Sequence, residues 1–210
     1  MDSASPKKSR TLRQKFRRGF LLYALVPYLS VIVIFAVLQR RLMYRQTVAA
    51  SLAIDDVGLS AEFGVDVELS TPDGNTIRGW LVSGRDEQTL VDVKRPLVLY
   101  FPGHSLNRSE RASDLQEVAR RGFDVLIFDY RGFGDSTGSP TESAITADAL
   151  LAWQYVIGTL GYEQSRVVIF GESLGGAVAL SLWSDENPTP PQPAALILNS
   201  TFASMSQVVG

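Results

Sequence analysis

The chain has 210 residues, of which 45 % are hydrophobic and 20 % are charged, so it has room for one ordinary globular domain with an appendage. It contains no cysteine, which excludes a disulfide framework, a cysteine nucleophile and a thiolate metal site. The net charge of −2 hides an asymmetry, because residues 1–45 carry ten of the 20 Lys and Arg residues but only one of the 22 acids. A basic head on an acidic body favours contact with a membrane surface and gives no sign of a nucleic-acid-binding body.

An uncharged apolar run follows the basic head. Residues 1–18 form a polar, basic tail, and the 19 residues from Phe20 to Leu38 then carry no charge. As a helix this run spans about 28 Å, close to the hydrocarbon thickness of a bilayer. We expect a transmembrane helix over 19–39, with a tolerated kink at Pro27. A cleaved signal peptide usually has a shorter apolar core and a buried core helix usually shows a polar face, so both are weaker interpretations.

The charges that flank the span predict its orientation. Seven Lys and Arg residues precede it and three follow it closely. The positive-inside rule then predicts a cytosolic N-terminus and a body on the lumenal or extracytoplasmic side, which is the endoplasmic reticulum lumen if the organism is eukaryotic. Residues 40–58 are predicted to be a juxtamembrane connector, and 59–210 the globular domain.

The hydrophobic pattern of the body predicts an α/β fold. Two alternating segments around a turn at 71–75 indicate a hairpin. Four continuous apolar runs indicate strands that are buried on both faces. Helical patterns lie between these runs. Such an order predicts a largely parallel central sheet with helices on both faces and an active site at the carboxyl ends of the strands. The predicted strands are 65–69, 76–82, 97–101, 125–128, 167–170 and 195–198. The predicted helices are 109–121, 141–160 and one that follows the last of three loops, at 171–175, and runs to about 183.

The third apolar run enters the sequence Gly171-Glu172-Ser173-Leu174-Gly175, and a small-residue helix leaves it. A Gly-x-Ser-x-Gly turn between a strand and a helix is the sequence form of a nucleophile elbow. Gly171 and Gly175 would allow the sharp reversal, since a Cβ at either position would crowd a neighbour. The Ser173 hydroxyl would then stand at a helix N-terminus, where free N–H groups favour negative charge. We expect Glu172 to be a variable position.

Two further loops accompany this turn, at Pro102-Gly103-His104-Ser105 and at Asp129-Tyr130-Arg131-Gly132-Phe133-Gly134-Asp135-Ser136. With the elbow, they make residues 60–205 resemble the α/β-hydrolase superfamily. More narrowly, the chain resembles its membrane-anchored serine hydrolases, a group that includes monoacylglycerol lipases, lysophospholipases and depalmitoylases. The family usually has His-Gly-Asn where this chain has Pro102-Gly103-His104.

This resemblance implies a mechanism. Ser173 would attack the acyl ester or thioester carbonyl of a lipid-like substrate. The backbone N–H groups of His104 and Leu174 would stabilise the oxyanion. No metal or other cofactor is implied, and no nucleic-acid partner.

The catalytic triad is incomplete in the sequence. The superfamily supplies it in the chain order Ser, acid, His, but His104, the single histidine, precedes Ser173. The acids after Ser173 are Asp185 and Glu186, far from the expected position. We therefore expect the acid and the histidine beyond Gly210, a C-terminally incomplete sequence, and no activity from these 210 residues alone. A substitute-base role for His104 is the alternative to its use through the backbone.

Two other functions stay open at this point. One is a non-catalytic, membrane-tethered binding protein built on the same fold, and the other is a serine exopeptidase.

Overall fold

The computed structural model describes residues 16–17, 19–43, 47–49, 51–59, 64–83, 95–104, 107–184 and 187–201. The chain divides into two compact units, residues 1–43 and residues 44–210, and each is considered by itself. Of the predicted basic tail, Phe16 and Arg17 belong to the described residues.

The first unit is helical. A π-helical turn, Leu21–Leu25, leads into helix α1, Val26–Met43. The π turn ends two residues before Pro27, a residue that cannot donate a backbone hydrogen bond to the preceding turn. The segment Leu21–Leu38 has a mean hydropathy of 2.6 and is 0 % buried, so by length and composition it could cross a membrane.

The second unit is built on one six-stranded sheet. Its strand order is β1-β2-β4-β3-β5-β6. Strands β1, β2 and β4 are antiparallel neighbours, whereas β4, β3, β5 and β6 run parallel. The predicted α/β fold with a mostly parallel sheet is therefore confirmed. The strands are β1 (Gly64–Ser70), β2 (Thr76–Val82), β3 (Leu97–Phe101), β4 (Asp124–Phe128), β5 (Val167–Glu172) and β6 (Ala195–Asn199).

Three helices connect the parallel strands. Helix α2 (Ala112–Arg120) follows a 3₁₀ turn, Arg108–Arg111, and helix α4 (Leu174–Ser181) follows the elbow. Helix α3 (Glu142–Gln154) begins where the sequence predicts, because the Thr141 side chain accepts a hydrogen bond from the Ala144 amide. It ends earlier than predicted: a π-helical turn, Tyr155–Thr159, occupies most of the expected last turns.

Two apolar cores cover the two faces of the sheet. On one face, Leu99 and Ile169 pack with Ala149 and Trp153 of α3 and with Ala179 of α4. On the other, strand residues pack with Leu115 and Ala119 of α2, and this second cluster also holds Trp80 and Ile127. Helices therefore cover both faces, as the right-handed crossover rule requires.

The segment expected to be a connector belongs to the second unit. Thr47 and Ala49 exchange backbone hydrogen bonds with Gly134 at 2.8 and 2.7 Å. A 3₁₀ turn, Ile54–Val57, follows, in which Ile54 is 4 % exposed. The compact unit therefore begins before residue 59, the predicted start of the body, because the segment fills space beside the sheet.

Candidate active site

Ser173 lies at the junction between β5 and α4 in an unusual backbone conformation. Its φ of 52° and ψ of −115° lie outside the backbone regions that are ordinarily allowed for a residue with a side chain. Such strain costs on the order of 1–3 kcal/mol and persists only where the surroundings hold it. The geometry is that of a sharp strand-to-helix elbow rather than an ordinary helix start.

The glycines around Ser173 make this reversal possible. A Cβ added at Gly171 would lie 2.6 Å from the Gly175 carbonyl oxygen, and one at Gly175 would lie 1.9 Å from the Phe101 carbonyl oxygen. Gly176, which the motif alone does not single out, has no more room: its Cβ would lie 1.5 Å from Thr201 Oγ1. Three backbone segments therefore converge behind the serine.

Ser173 is held through its backbone amide and carbonyl. Its amide donates to the Asn199 carbonyl at 2.8 Å, and its carbonyl accepts from Thr201 Oγ1 at 2.9 Å. A serine that precedes a helix usually caps it through its hydroxyl, but Ser173 does not. Within the described part of the chain, the Ser173 Oγ has no hydrogen-bond partner. The hydroxyl is therefore available to a ligand.

Ser173 lines a small cavity of about 80 Å³, and the loop after β3 lines the same cavity. Gly103 is close to the serine, since a Cβ there would lie 3.6 Å from Ser173 Cβ. The Tyr130 hydroxyl holds this loop in place by donating a hydrogen bond to the Pro102 carbonyl at 2.8 Å. The described residues lining the cavity are Pro102, Gly103, His104, Asn107, Arg111, Glu172 and Ser173.

The structure thus brings His104 and Ser173 to one cavity. The His104 ring is partly buried and has no hydrogen-bond or ion-pair partner among the described residues. Leu174 is the first residue of α4, where backbone N–H groups lack partners within the helix. The use of the two amides as oxyanion donors stays a prediction, as does the alternative use of the His104 ring.

Glu172, expected to be a variable position, accepts a hydrogen bond on each of its two carboxylate oxygens. One oxygen accepts from the Tyr100 hydroxyl at 2.5 Å and the other from Arg111 Nη2 at 2.6 Å. Burial, together with the hydrogen bond to Glu172, raises the pKa of the Tyr100 hydroxyl, so the phenol stays protonated as the donor. Glu172 therefore links β3 to the start of α2 beside the candidate nucleophile. The sequence pattern does not reveal this, because the partners lie 72 and 61 residues away.

The Asp-Tyr-Arg-Gly-Phe-Gly-Asp-Ser loop has a structural use here. The guanidinium of Arg108, 1 % exposed, pairs with Asp129 at 2.5 Å and with Asp135 at 2.7 Å. It also stacks 4.9 Å from the Trp80 ring and donates to the Leu52 carbonyl at 2.7 Å. Burial raises the pKa of Asp129 to about 6, although its contacts with Arg108 act in the opposite direction. This cluster joins the loop after β4 to the segment that precedes β1.

A second arginine of this region, Arg131, forms two ion pairs. It pairs with Asp148 of α3 at 2.5 Å and with Asp73 of the β1–β2 turn at 2.7 Å. The hydrogen bonds from Thr71 and then Arg131 hold the pKa of Asp73 below its usual range. Arg131 therefore joins α3 to the β1–β2 turn and is not among the described residues that line the serine cavity.

Asp185, Glu186 and Ser105 lie outside the described residues. In the described part of the chain, no group of three or more His, Cys, Asp or Glu residues could hold a metal ion. A larger apolar groove of about 540 Å³ runs along one face of the sheet and shares Arg111 and Glu172 with the small cavity, but Ser173 does not line it.

Comparison with known proteins agrees with this architecture. A model of the alpha/beta hydrolase fold family matches residues 96–209. An uncharacterised protein of Mycobacterium tuberculosis is 36 % identical over 170 residues, which are 81 % of this chain and 56 % of that protein. Lysophosphatidylserine lipase ABHD12 of Gallus gallus is 36 % identical over 131 residues, 59 % of this chain and 33 % of the lipase. The chain thus spans about half, or less, of the length of these relatives.

A solved structure gives the same fold. The crystal structure of an alpha-beta hydrolase from Vibrio vulnificus has a TM-score of 0.58 and 18 % identity, and the match covers 100 % of this chain and 66 % of that one. At that identity the likeness concerns the fold alone. Since the family model matches more than half of the chain, across the strands and the elbow described above, this protein belongs to the α/β-hydrolase family.

Proposed function

We propose that the protein is a membrane-anchored serine hydrolase that cleaves acyl esters or thioesters of lipid-like substrates. One observation carries this proposal: Ser173 stands at a strained strand-to-helix turn beside the Gly103–His104 backbone, and its hydroxyl has no partner among the residues that the structure describes. A hydroxyl held this way can reach a bound carbonyl, and amides at the start of α4 and after β3 can stabilise the oxyanion. The lipid-like substrate class is favoured by the similarity to a lysophosphatidylserine lipase.

A base has to take the proton of Ser173, because a serine hydroxyl is a weak nucleophile without one. His104 has no acidic partner among the described residues. In the family the acid and then the histidine follow the nucleophile, and this chain spans 56 % of the length of its Mycobacterium tuberculosis relative.

An activity-based probe tests the assignment. A fluorophosphonate should label the protein, expressed with whatever the gene encodes beyond Gly210, and Ser173→Ala should abolish the label. Ser200→Ala is a matched control, since Ser200 has a similar φ of 53° but is exposed. Labelling that survives in Ser173→Ala refutes the nucleophile. A folded protein that is never labelled favours the non-catalytic binding protein instead, and release of amino acids but not fatty acids favours the exopeptidase.

The proposed anchor is the apolar helix, with the N-terminus in the cytosol and the body on the lumenal or extracytoplasmic side. Its support is the 18-residue exposed apolar segment and the asymmetry of the flanking charges. The absence of cysteine makes a direct test simple. A single cysteine placed at the exposed Ser139 should react with an impermeant maleimide from the extracytoplasmic side. Reaction from the cytosolic side alone would reverse the orientation.

A further inference from the structure

Arg111 is the one cation among the described residues that line the cavity at Ser173. It ends the 3₁₀ turn that precedes α2, and its side chain is 22 % exposed. The guanidinium is therefore neither a freely solvated surface charge nor a fully enclosed one.

Most of the hydrogen-bonding capacity of this guanidinium is unused. Of its five N–H donors, one is bonded within the described part of the chain, from Nη2 to Glu172. The Nε atom is buried and has no partner there. The two donors on Nη1 and the second donor on Nη2 also have no partner in the described part of the chain, so an acceptor brought by a ligand can bond to them.

The carboxylate beside Arg111 is not available to a ligand in the same way. Both oxygens of Glu172 are occupied, by Arg111 and by the Tyr100 hydroxyl. Tyr100 is itself held by its ring, which stacks on Phe170 with a centroid distance of 4.9 Å. This arrangement fixes the position of the guanidinium, which lines the cavity as its positively charged group with most of its donors unbonded in the described part of the chain.

We propose that Arg111 is a specificity-determining residue that binds an anionic group, a phosphate or a carboxylate, carried by the ester substrate close to its scissile bond. The inference rests on the proposed hydrolase function and adds the substrate feature that the enzyme selects. A planar guanidinium can donate two parallel hydrogen bonds to either oxyanion, which gives both attraction and orientation. Glu172 and Tyr100 are positioning residues, since they act through Arg111.

Matched esters test this inference in the protein expressed with any sequence that follows Gly210. 1-Oleoyl lysophosphatidylserine and 1-oleoylglycerol share an acyl chain, but only the first carries anionic groups. The ratio of their kcat/KM values should fall by about 10- to 100-fold in Arg111→Gln, the size expected when a hydrogen bond to a charged group is lost. Lysophosphatidylcholine distinguishes the anion, because it keeps the phosphate and lacks the carboxylate. A loss shared by lysophosphatidylcholine assigns the phosphate, and a loss confined to lysophosphatidylserine assigns the carboxylate.

Two controls separate recognition from other effects. Arg111→Gln combined with Glu172→Gln removes the pair without leaving a lone carboxylate to repel the substrate, and the ratio should still fall. Arg121→Gln, at an exposed guanidinium just after α2, should leave the ratio at its wild-type value. Equal losses for all three esters in Arg111→Gln, or an unchanged ratio, overturn the inference and leave the hydrolase intact. A wild-type protein without Ser173-dependent turnover of any ester refutes the proposed function itself.

Discussion

The close approach of α4 to the end of β3 is the contact on which the elbow most directly depends. Gly175→Ala tests it, because the new Cβ would lie 1.9 Å from the Phe101 carbonyl oxygen and 2.7 Å from that of Pro102. Cβ atoms essentially never approach other atoms within 3.0 Å, so α4 or the loop after β3 has to move by about 1 Å. The obstructing atoms are backbone, which cannot rotate away as a side-chain tip could. The substitution therefore displaces either Ser173 or the Gly103–His104 segment.

The expected size of the effect follows from that displacement. A misplacement of about 1 Å in a catalytic constellation costs on the order of 10²-fold in rate. Overpacking of this kind also destabilises by about 1–3 kcal/mol. For a domain of this size, each kcal/mol lowers the unfolding midpoint by about 2–4 °C.

Fluorophosphonate labelling rates and thermal unfolding measure the two consequences separately. Gly158→Ala is the matched control, since a Cβ at Gly158 would meet nothing within 4 Å. It should label at the wild-type rate. If Gly175→Ala also labels within about twofold of the wild type, the packing of α4 against the loop does not position the nucleophile, and this account of the elbow is wrong.

The remaining predictions concern the buried charge cluster around Arg108. Arg108→Met should lower the free energy of unfolding by about 3–5 kcal/mol in chemical denaturation, because it leaves Asp129 and Asp135 without their buried partner. The control Arg121→Met removes an exposed ion pair and should change the free energy of unfolding by less than about 1 kcal/mol. Equal effects of the two variants would contradict the importance given to burial. Burial raises the pKa of Asp129 from 3.8 to about 6. The Asp129 carboxyl group therefore binds its proton more tightly in the folded state than in the unfolded chain. The contribution of this carboxyl to stability is then fully present below about pH 4 and is lost as the pH rises through about 6. The stability of the wild type relative to Asp129→Asn should accordingly decrease between pH 4 and 7, and a constant or rising difference would refute the assignment.

Local patterns in the sequence were sufficient for most elements of the fold. Strands β2 and β3 begin and end where predicted, since their apolar runs are bounded by turn residues or a proline. Helix α3 begins next to residue 141, as predicted, because the Thr141 side chain caps it. Its end was not foreseen, because the switch from α- to π-helical turns leaves no distinct mark in the residue pattern.

Some residues of the candidate site were likewise predictable from local sequence patterns, whereas others depend on the tertiary fold. The Gly-x-Ser-x-Gly spacing pointed to Ser173, Gly171 and Gly175, because a sharp reversal has local steric requirements. Gly176 and Thr201 were missed, since the space between them depends on how β6 returns beside α4. The Arg108 cluster was missed for a related reason: Leu52 and Asp135 lie far from Arg108 in the chain, and only the fold brings them to one buried guanidinium.

The sequence by itself determined the class of fold, the apolar helix and the position of the candidate nucleophile, because each of these is written in periodicity, composition or spacing within a few residues. Tertiary structure alone decided which side chains surround that nucleophile. Glu172 illustrates the difference: one position before Ser173 it carries no local signal, yet Tyr100 and Arg111 meet it from two other elements. Contacts between residues distant in sequence are set by how strands and helices pack, and no short-range pattern encodes them.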